Sequence, residues 1–316
     1  MKICLVGEGA FANKHIDAIV RIEDVEVSVI CGGVAETTEA VANAWGIPFY
    51  TTDLAEALNQ PGVDAAILAT PTGLHTAQAI QVMRSGKHVL IEIPMADNLA
   101  DAQKLVEVQQ ETGLVAMVDH VRRFNPSHQW IHNKIKSGEL QLQQLDVQTY
   151  FFRRENINAL GQPRSWTDHL LWHHACHTVD LFQYQTGGPA TQAFAMQGPS
   201  HPDMGIAMDM CIGMKAATGA ICTLSLSFNN NGPLGTYFRY ICDNGTYIAR
   251  YDDLFDGNDN PIDLSQIDVA MDGVELADRE FFAAIAQDRE PNSSVQQCLE
   301  AMKTLDRLEQ SMISQA

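Results

Sequence analysis

Two glycines between an apolar strand and an amphipathic helix constrain the fold of this chain more than any other feature. The first residues form a short, mostly apolar run that predicts a strand over 2–6. The run that follows is Gly7-Glu8-Gly9-Ala10-Phe11-Ala12, a G-x-G-x-x-A sequence. Apolar residues at helical spacing come next, so the glycines stand at a strand-to-helix turn, where a backbone can approach a pyrophosphate at a positive helix N-terminus. A glycine-rich turn without a ligand is the alternative, but the pattern of the following residues favours a nucleotide site.

The first third of the chain alternates aliphatic runs with amphipathic segments, which is typical of a parallel sheet flanked by helices. Strands are predicted near 2–6, 25–31, 47–50, 64–69, 87–92 and 114–119, with helices over 36–45 and 76–84. From about residue 141 longer runs separated by Gly, Asn and Pro predict antiparallel strands. These strands are predicted over 142–152, 206–215, 220–228, 236–242 and 246–250, with helices over 168–186 and 295–310.

The predicted fold class is α/β, with a Rossmann-type parallel-sheet domain followed by an α+β domain with a large, mostly antiparallel open sheet. The first domain is expected to cover residues 1–120 and to bind a dinucleotide. The second is expected to cover 121–316 and to bind the substrate, with the last helix able to pack on the first domain.

Charge and composition exclude several classes of partner. Twenty Lys and Arg against 39 Asp and Glu give a net charge of −19, which makes nucleic acid and anionic membrane surfaces poor partners. No secretory signal and no apolar run long enough to span a bilayer are visible. The seven cysteines are well separated and lack a C-x-x-C pair, so a reducing compartment is expected. The sequence predicts a cytoplasmic protein that binds small molecules.

The end of the second strand leaves the choice of cofactor open. A Rossmann domain usually places there an acid for a ribose 2′-hydroxyl or a base for a 2′-phosphate. This strand ends instead in Cys31-Gly32-Gly33-Val34. Backbone amides of the two glycines and hydroxyls of Thr37 or Thr38 could receive a phosphate. NADP is the predicted cofactor, with NAD as the alternative.

A longer series of motifs carries a resemblance to a known family. It includes residues 63–75, 86–89, 92–94 and 122–126, and it runs on into the helix with His177 and Asp180. This series resembles the Gfo/Idh/MocA oxidoreductase family, and the resemblance implies that the Thr-Pro turn and Glu92 line a nicotinamide pocket. Together with the glycine turn, the predicted cofactor-binding residues are Gly7, Gly9, Ala10, Phe11, Gly32, Gly33, Thr70, Pro71, His75 and Glu92.

Two departures from the family bear on the chemistry. The family motif Glu-Lys-Pro supplies a catalytic Lys, where this chain has Ile93. The family also places an Asp four residues before the histidine that matches His177, where this chain has His173. These departures imply a different proton-transfer group in a subfamily, and a non-catalytic dinucleotide-binding protein is one alternative.

His169, His173 and His177, called here the histidine stripe, recur every four residues and would share one helix face, with Asp180 one turn further. Such a stripe could hold zinc, transfer protons or form a hydrated surface. The resemblance places His177 beside the nicotinamide, and a histidine can accept a proton at neutral pH, so proton transfer is favoured. The hypothesis is that His177 or His173 is the base and Asp180 orients it. No metal is predicted, and a zinc hydrolase is the rival interpretation.

The later segments 148–154, 164–169, 172–174 and 228–234 resemble a subfamily that oxidises a cyclic hemiacetal, a lactol, to a lactone. Its substrate is a small anionic dicarboxylate, which needs fixed cations, and guanidinium groups bind carboxylates at two points. The predicted substrate-binding residues are Arg122, Arg123, Arg153, Arg154, Arg164, Trp166, His169 and Arg239, and Asn229, Asn230 and Thr236 could complete the site. Surface salt bridges are the alternative role for any one arginine.

The resemblance also implies a homodimer through the open face of the second sheet. A sugar or inositol dehydrogenase of the same family is the alternative enzyme.

Overall fold

The computed structural model describes residues 1–157, 161, 163–164, 167–265, 267 and 273–313. The chain divides into two compact units. Unit 1 comprises Met1–His120 and Val274–Leu299, and unit 2 comprises Val121–Gly273 and Glu300–Ala316. Among the described residues, none of the helices combines the length and the apolar composition that crossing a bilayer requires.

Unit 1 contains a six-stranded parallel sheet with the order β3-β2-β1-β4-β5-β6. The strands are β1 (Lys2–Val6), β2 (Glu26–Cys31), β3 (Phe49–Thr51), β4 (Val63–Leu68), β5 (His88–Ile91) and β6 (Ala116–Val118). Their aliphatic side chains are buried, as expected for a parallel sheet covered by helices on both faces. The order reverses between β1 and β4, which is where Rossmann sheets bind their ligands.

Helices connect these strands, and local capping explains where several of them begin and end. They are α1 (Ala10–Ile19), α2 (Ala35–Trp45), α3 (Leu54–Leu58), α4 (His75–Arg84), α5 (Leu99–Thr112) and, later in the chain, α8 (Gly273–Ala286). The side chain of Asn98 accepts a hydrogen bond from the Asp101 amide at the start of α5. Gly46 and Gly113 end α2 and α5 in the left-handed conformation that glycine adopts readily.

Unit 2 contains a seven-stranded sheet with the order β13-β12-β11-β7-β10-β9-β8. Its strands are β7 (Leu142–Tyr150), β8 (Ala190–Gln197), β9 (Asp209–Ala216), β10 (Ile221–Ser227), β11 (Gly235–Cys242), β12 (Gly245–Arg250) and β13 (Asp253–Asp256). Only the pair β7 and β10 is parallel among these described strands. The helices of this unit are α6 (Pro126–Lys136), a π-helical segment (Leu170–Ala175), α7 (Cys176–Thr186) and most of α9 (Val295–Ile313).

The two faces of this sheet differ. On one face Leu145 and Val147 of β7 and Phe238 and Tyr240 of β11 are buried, and α7 packs against β7. The opposite side, called here the open face, carries the alternate residues of each strand. On the open face Thr223 donates a hydrogen bond to Asp146, and strand pairing lines up Phe194, Gly213 and Thr223 in one row.

The predicted fold class is confirmed. Every strand predicted in the first 120 residues is present within a few residues, and so are the five predicted later. The sequence interpretation missed β8, whose exposed positions are mostly polar, and β13, which lies in an acid-rich stretch.

Candidate functional site

The glycine turn of unit 1 fits a pyrophosphate. Gly7 has φ +121°, and a Cβ there would lie 2.5 Å from the Ala69 carbonyl oxygen, so only glycine lets β1 pass this close to β4. A Cβ on Gly9 would meet nothing within 4 Å, which leaves the approach to α1 open. No side chain caps the N-terminus of α1, and its first turn contains no acid. These features match a helix N-terminus that receives an anion. Phe11 lies in this turn and is half exposed.

The Thr-Pro turn after β4 is fixed by His75. One ring nitrogen of His75 lies 2.8 Å from the Thr70 carbonyl oxygen and the other lies 2.9 Å from the Pro94 carbonyl oxygen. The Thr70 hydroxyl donates to Gln78 at 2.6 Å, and Pro71 precedes a short 3-10 turn. The His75 ring therefore links the loop after β4 to the loop after β5 by hydrogen bonds to a carbonyl oxygen of each. It is nearly fully buried, so the structure gives it a supporting position.

A buried histidine surrounded by carboxylates holds Glu92. His15 Nδ1 lies 2.9 Å from Asp278 Oδ1, and His15 Nε2 lies 3.3 Å from Glu92 Oε1 and 3.8 Å from Asp119 Oδ2. Burial disfavours charge on His15, but these carboxylates outweigh burial and raise its pKa well above the ordinary value. Burial, followed by the nearby Glu92, raises the pKa of the Asp119 carboxyl well above its ordinary range.

Gly32 and Gly33, at the end of β2, surround a carboxylate that the sequence interpretation missed. The Gly33 amide donates to Glu8 Oε1 and Oε2 at 2.9 and 3.0 Å, and the Val34 amide donates to Oε1 at 3.2 Å. The Thr37 hydroxyl lies 3.5 Å from the same oxygen. Glu8 occupies an unspecified position of the glycine motif, and its partners lie 25 residues or more along the chain, so no local signal reveals this contact.

In unit 2, Asp180 forms a two-point ion pair with Arg123. Arg123 Nε donates to Asp180 Oδ2 at 2.8 Å and Nη2 donates to Oδ1 at 2.6 Å, and both residues are buried. The guanidinium also lies 4.9 Å from the ring centre of Tyr184. The structure thus gives Asp180 an arginine partner and gives Arg123 a buried carboxylate partner.

Asp168 contacts two of the arginines predicted to bind substrate and one histidine. Arg153 Nη1 donates to Asp168 Oδ1, Arg164 Nη1 donates to the same oxygen at 2.8 Å, and His174 Nε2 lies 3.0 Å from Oδ2. Burial, followed by the charge of Arg164, lowers the pKa of Arg153 to about 10. Burial, followed by Arg153 and Arg164, lowers the pKa of His174 to about 3, so this ring is neutral at physiological pH. We call Asp168, Arg153, Arg164 and His174 the Asp168 cluster.

The histidine stripe lies at the start of the helical region, and its first two rings bind backbone. His169 precedes the π-helical segment and its Nδ1 accepts the Leu171 amide at 3.1 Å. His173 Nδ1 accepts the His169 amide at 2.9 Å. His173 and His177 are partly exposed. Burial lowers the pKa of His169.

The other predicted substrate residues lie in different surroundings. Arg154 donates a hydrogen bond to Asn229 Oδ1 at 3.1 Å. Arg122 donates one to Asn125 Oδ1 at 3.2 Å and lies beside the Tyr251 ring.

Arg239 is on the open face, where strand pairing sets it opposite Asp146, so the sheet separates it from α7. Asn230 donates to the Pro233 carbonyl, and Thr236 is buried in β11. Trp166 lies outside the described residues.

Possible metal ligands come together away from the histidine stripe. Ligand atoms of His15, Glu92 and Asp119 lie within 4.8 Å of one another, so these three residues could hold a metal ion. Within the described ranges of unit 2, the three histidines of the stripe do not place three ligand atoms within 4.8 Å of one another.

Comparison with known proteins relates this geometry to oxidoreductases. Residues 1–120 match the model described as "Oxidoreductase family, NAD-binding Rossmann fold", and residues 126–268 match "Bacterial oxidoreductases, C-terminal". The chain is 62% identical over 309 residues to 4-carboxy-2-hydroxymuconate-6-semialdehyde dehydrogenase of a Sphingobium species, and this match covers 98% of each chain. It is 34% identical over 141 residues to scyllo-inositol 2-dehydrogenase (NAD(+)) of Bacillus subtilis, covering 44% of this chain and 41% of that one.

A solved structure of levoglucosan dehydrogenase in complex with NADH and levoglucosan has the same fold. The TM-score is 0.87 at 17% sequence identity, with 100% of this chain and 98% of that chain covered. Both sheets of the present chain thus have counterparts in a dehydrogenase.

Proposed function

This chain belongs to the Gfo/Idh/MocA family of oxidoreductases, and on that premise we propose the reaction that it catalyses. The proposed reaction is oxidation of the cyclic hemiacetal of 4-carboxy-2-hydroxymuconate-6-semialdehyde to 2-pyrone-4,6-dicarboxylate, a step of protocatechuate 4,5-cleavage. The observation that carries the proposal is the 62% identity to the dehydrogenase of that name over 98% of both chains. The family's cofactor class is a nicotinamide dinucleotide, NADP or NAD.

The proposed chemistry needs one base and one hydride acceptor. In the lactol, a hydroxyl group and a hydrogen share one ring carbon. Loss of the hydroxyl proton and departure of the hydrogen as hydride convert that carbon into the lactone carbonyl, a two-electron oxidation that needs no acyl-enzyme. A nicotinamide dinucleotide, when bound, accepts the hydride. His177 or His173 accepts the proton, since either imidazole can do so at neutral pH.

The Asp168 cluster supports recognition of a dicarboxylate. Two guanidinium groups and one carboxylate leave a net charge of +1 in a protein whose net charge is −19. Asp168 fixes the planes of Arg153 and Arg164, and a fixed guanidinium loses little freedom when it binds an anion. We therefore assign the substrate carboxylates to Arg153, Arg164 and the adjacent Arg154. Arg239 is left out because it lies on the open face.

We also propose which part of the chain binds the dinucleotide and which part binds the substrate. Residues 1–120 bind the dinucleotide, which the glycine turn and the supported Thr-Pro loop favour. Residues 121–316 bind the substrate and form a homodimer through the open face, where Phe194, Met196 and Ile221 are exposed. The cytoplasmic location indicated by the cysteine pattern stays a prediction.

The test is an initial-rate assay of reduced nicotinamide absorbance with enzymatically generated 4-carboxy-2-hydroxymuconate semialdehyde. Turnover is expected with this substrate, and none is expected with scyllo-inositol, which lacks carboxylates. His177→Asn and His173→Asn are compared in the same assay, and loss of the base is expected to lower kcat about 100-fold or more. Turnover of inositol alone would favour the sugar dehydrogenase alternative. A double variant with both substitutions is assayed as well, and unchanged kcat in it would show that neither histidine is the base.

A further inference from the structure

Four ionisable side chains of unit 1 meet at the edge of the parallel sheet where its strands end. Glu92 directly follows β5 and Asp119 directly follows β6, while His15 belongs to α1 and Asp278 belongs to α8. We call these four residues the His15 cluster. A Rossmann sheet binds one mononucleotide in each half, and the glycine turn with β2 binds the adenosine part. The half formed by β4, β5 and β6 is therefore the half that binds the nicotinamide part.

Glu92 is the member of the His15 cluster that reaches the surface. Its side chain is 11% exposed, whereas the other three side chains are at most 2% exposed. Glu92 Oε1 lies 3.3 Å from His15 Nε2, and Oε2 accepts the Ile93 amide at 3.1 Å. The Glu92 amide donates to the Leu68 carbonyl oxygen at 3.0 Å, which fixes this position to the end of β4. The carboxylate is thus held in one place at the ligand-binding edge of the sheet.

The His15 cluster contains more negative than positive charge. His15 Nδ1 lies 2.9 and 3.1 Å from the two carboxylate oxygens of Asp278, so the ring is fixed and its Nε2 faces Glu92. One imidazolium and the carboxylates of Asp278 and Glu92 leave a net charge of −1 when Asp119 carries a proton, and −2 when it does not. The part of this charge nearest the surface is on Glu92.

We propose that Glu92 places a negative charge beside the nicotinamide ring, so that the chain binds the oxidised dinucleotide more tightly than the reduced one. His15 acts through Glu92 and is a positioning residue, because it is fully buried and fixes one carboxylate oxygen. This inference rests on the proposed function, since it presumes that a nicotinamide dinucleotide binds to unit 1. It deepens that function by assigning a preference between two oxidation states to one carboxylate.

The two oxidation states differ in charge at the ring. The oxidised ring is a pyridinium cation, and gain of a hydride, which is two electrons and a proton, makes it neutral. A carboxylate beside the ring therefore stabilises the oxidised form alone, and the effect is stronger where buried groups exclude water. The proposed reaction uses the oxidised form and produces the reduced form. The charge of Glu92 would thus favour binding of the reactant and release of the product.

A purely structural role for Glu92 predicts a different pattern of binding. If Glu92 only anchored the loop after β5, its replacement would weaken both oxidation states alike. It would also weaken ligands that have the adenosine and pyrophosphate parts but lack the nicotinamide ring. A charge effect changes the oxidised form alone. ADP-ribose and its 2′-phosphate, which lack the ring, are therefore the reference ligands.

The experiment measures dissociation constants by calorimetric titration of the full chain with oxidised and reduced NADP, oxidised and reduced NAD, and the two reference ligands. The ratio of the reduced to the oxidised constant is taken within one dinucleotide, so it does not depend on which dinucleotide the chain prefers. The variants are Glu92→Gln, which keeps the shape and removes the charge, and Glu107→Gln, which removes an exposed acid of α5. The wild-type chain is expected to bind the oxidised form more tightly.

In Glu92→Gln this ratio is expected to fall about tenfold, the effect of one opposite charge within about 4 to 6 Å of an ionised group. The reference ligands in this variant, and every ligand in Glu107→Gln, should bind within about twofold of wild type. Tighter wild-type binding of the reduced form overturns the inference, and this result does not depend on whether Glu92→Gln folds. So does an equal loss of affinity for every ligand, or an unchanged ratio, in Glu92→Gln. These results leave the proposed function standing, whereas a wild-type chain that binds neither dinucleotide overturns both.

Discussion

At the scale of single residues, neighbouring charges set opposite proton affinities on two histidines, His15 and His174. His15 lies among Asp278, Glu92 and Asp119, and those carboxylates raise its pKa against the effect of burial. His174 is partly exposed, and burial of its ring, followed by the charges of Arg153 and Arg164, lowers its pKa to about 3. One histidine is therefore a cation in the folded protein near neutral pH, and the other is neutral.

The His15 cluster predicts a dependence of stability on pH. Because the folded-state pKa of His15 is raised, its contribution to the free energy of unfolding is complete below the unfolded pKa near 6.5 and is lost as pH rises through the folded pKa. The raised pKa of Asp119 acts in the same direction, since the unfolded chain releases that proton first. Asp278→Asn should lower the pKa of His15, so the loss should begin at a lower pH.

Urea unfolding from pH 6 to pH 9 measures this effect as a difference in slope between variant and wild type. The control is Asp17→Asn, which removes an exposed acid of α1 that pairs with Arg21, and its slope should match that of the wild type. Parallel curves for Asp278→Asn and wild type would show that His15 does not carry the proton.

The Asp168 cluster predicts a separation of KM from kcat. Asp168 touches two arginines and His174, so we expect it to position cations without reacting itself. Asp168→Asn should raise KM for the dicarboxylate about tenfold, as expected for one weakened contact between charged groups, while kcat changes much less. Steady-state kinetics tests this, with Asp146→Asn on the open face as the control. A fall in kcat at constant KM would instead assign Asp168 to the chemical step.

Among the elements, those of unit 1 were predicted best because their signals are local. Each parallel strand is a short aliphatic run, and glycines with positive φ, Gly46 and Gly86, follow the helices predicted over 36–45 and 76–84. β8 was missed because its buried residues, Ala190 and Ala195, are small while its large apolar residues, Phe194 and Met196, are exposed, so its alternation is weak. The contacts of Glu8 and Asp168 could not be predicted, since they join residues that only the tertiary fold brings together.

The histidine stripe illustrates a limit of helical spacing. Residues four apart share one face of an α-helix, but Leu170–Ala175 is π-helical, and a wider turn rotates the following residues away from that face. His169 therefore caps the start of the helix, and its ring does not share a helix face with the other two rings of the stripe. Periodicity alone does not separate a π-helical turn from an α-helical one, because both use the same residue types.

His169 predicts how this element is held. Its Nδ1 accepts the Leu171 amide, the role that a capping side chain plays at a helix start. His169→Ala should lower the free energy of unfolding by about 1 kcal/mol, whereas His169→Asn should largely restore it, because asparagine also accepts at this position. Urea unfolding and KM measured on both variants separate capping from substrate binding. If His169→Asn recovers stability but KM stays raised, the ring contacts the substrate as well.

At the scale of the whole molecule, the open face of the unit 2 sheet carries several exposed apolar side chains. Phe194, Met196 and Ile221 are 56%, 57% and 41% exposed, and strand pairing places them on the same side as Asp146. Apolar side chains grouped on one face and flanked by polar ones are typical of an interface between chains. A two-fold axis through this face would set each patch against its own copy.

That symmetry leads to a specific prediction for the proposed homodimer. In a homodimer, Phe194→Glu adds one negative charge to each chain, so two like charges would meet at one interface. The protein is already strongly acidic, with a net charge of −19. We expect the dimer dissociation constant to rise about 100-fold or more, measured by sedimentation velocity across the micromolar range. Ile313→Glu, at an exposed position 64% accessible near the end of α9, adds the same charge away from this face and should leave the dimer intact. A monomeric wild-type chain would contradict the homodimer itself. A Phe194→Glu variant that stays dimeric would place the interface elsewhere, because an isologous contact through this face cannot bury two like charges without weakening.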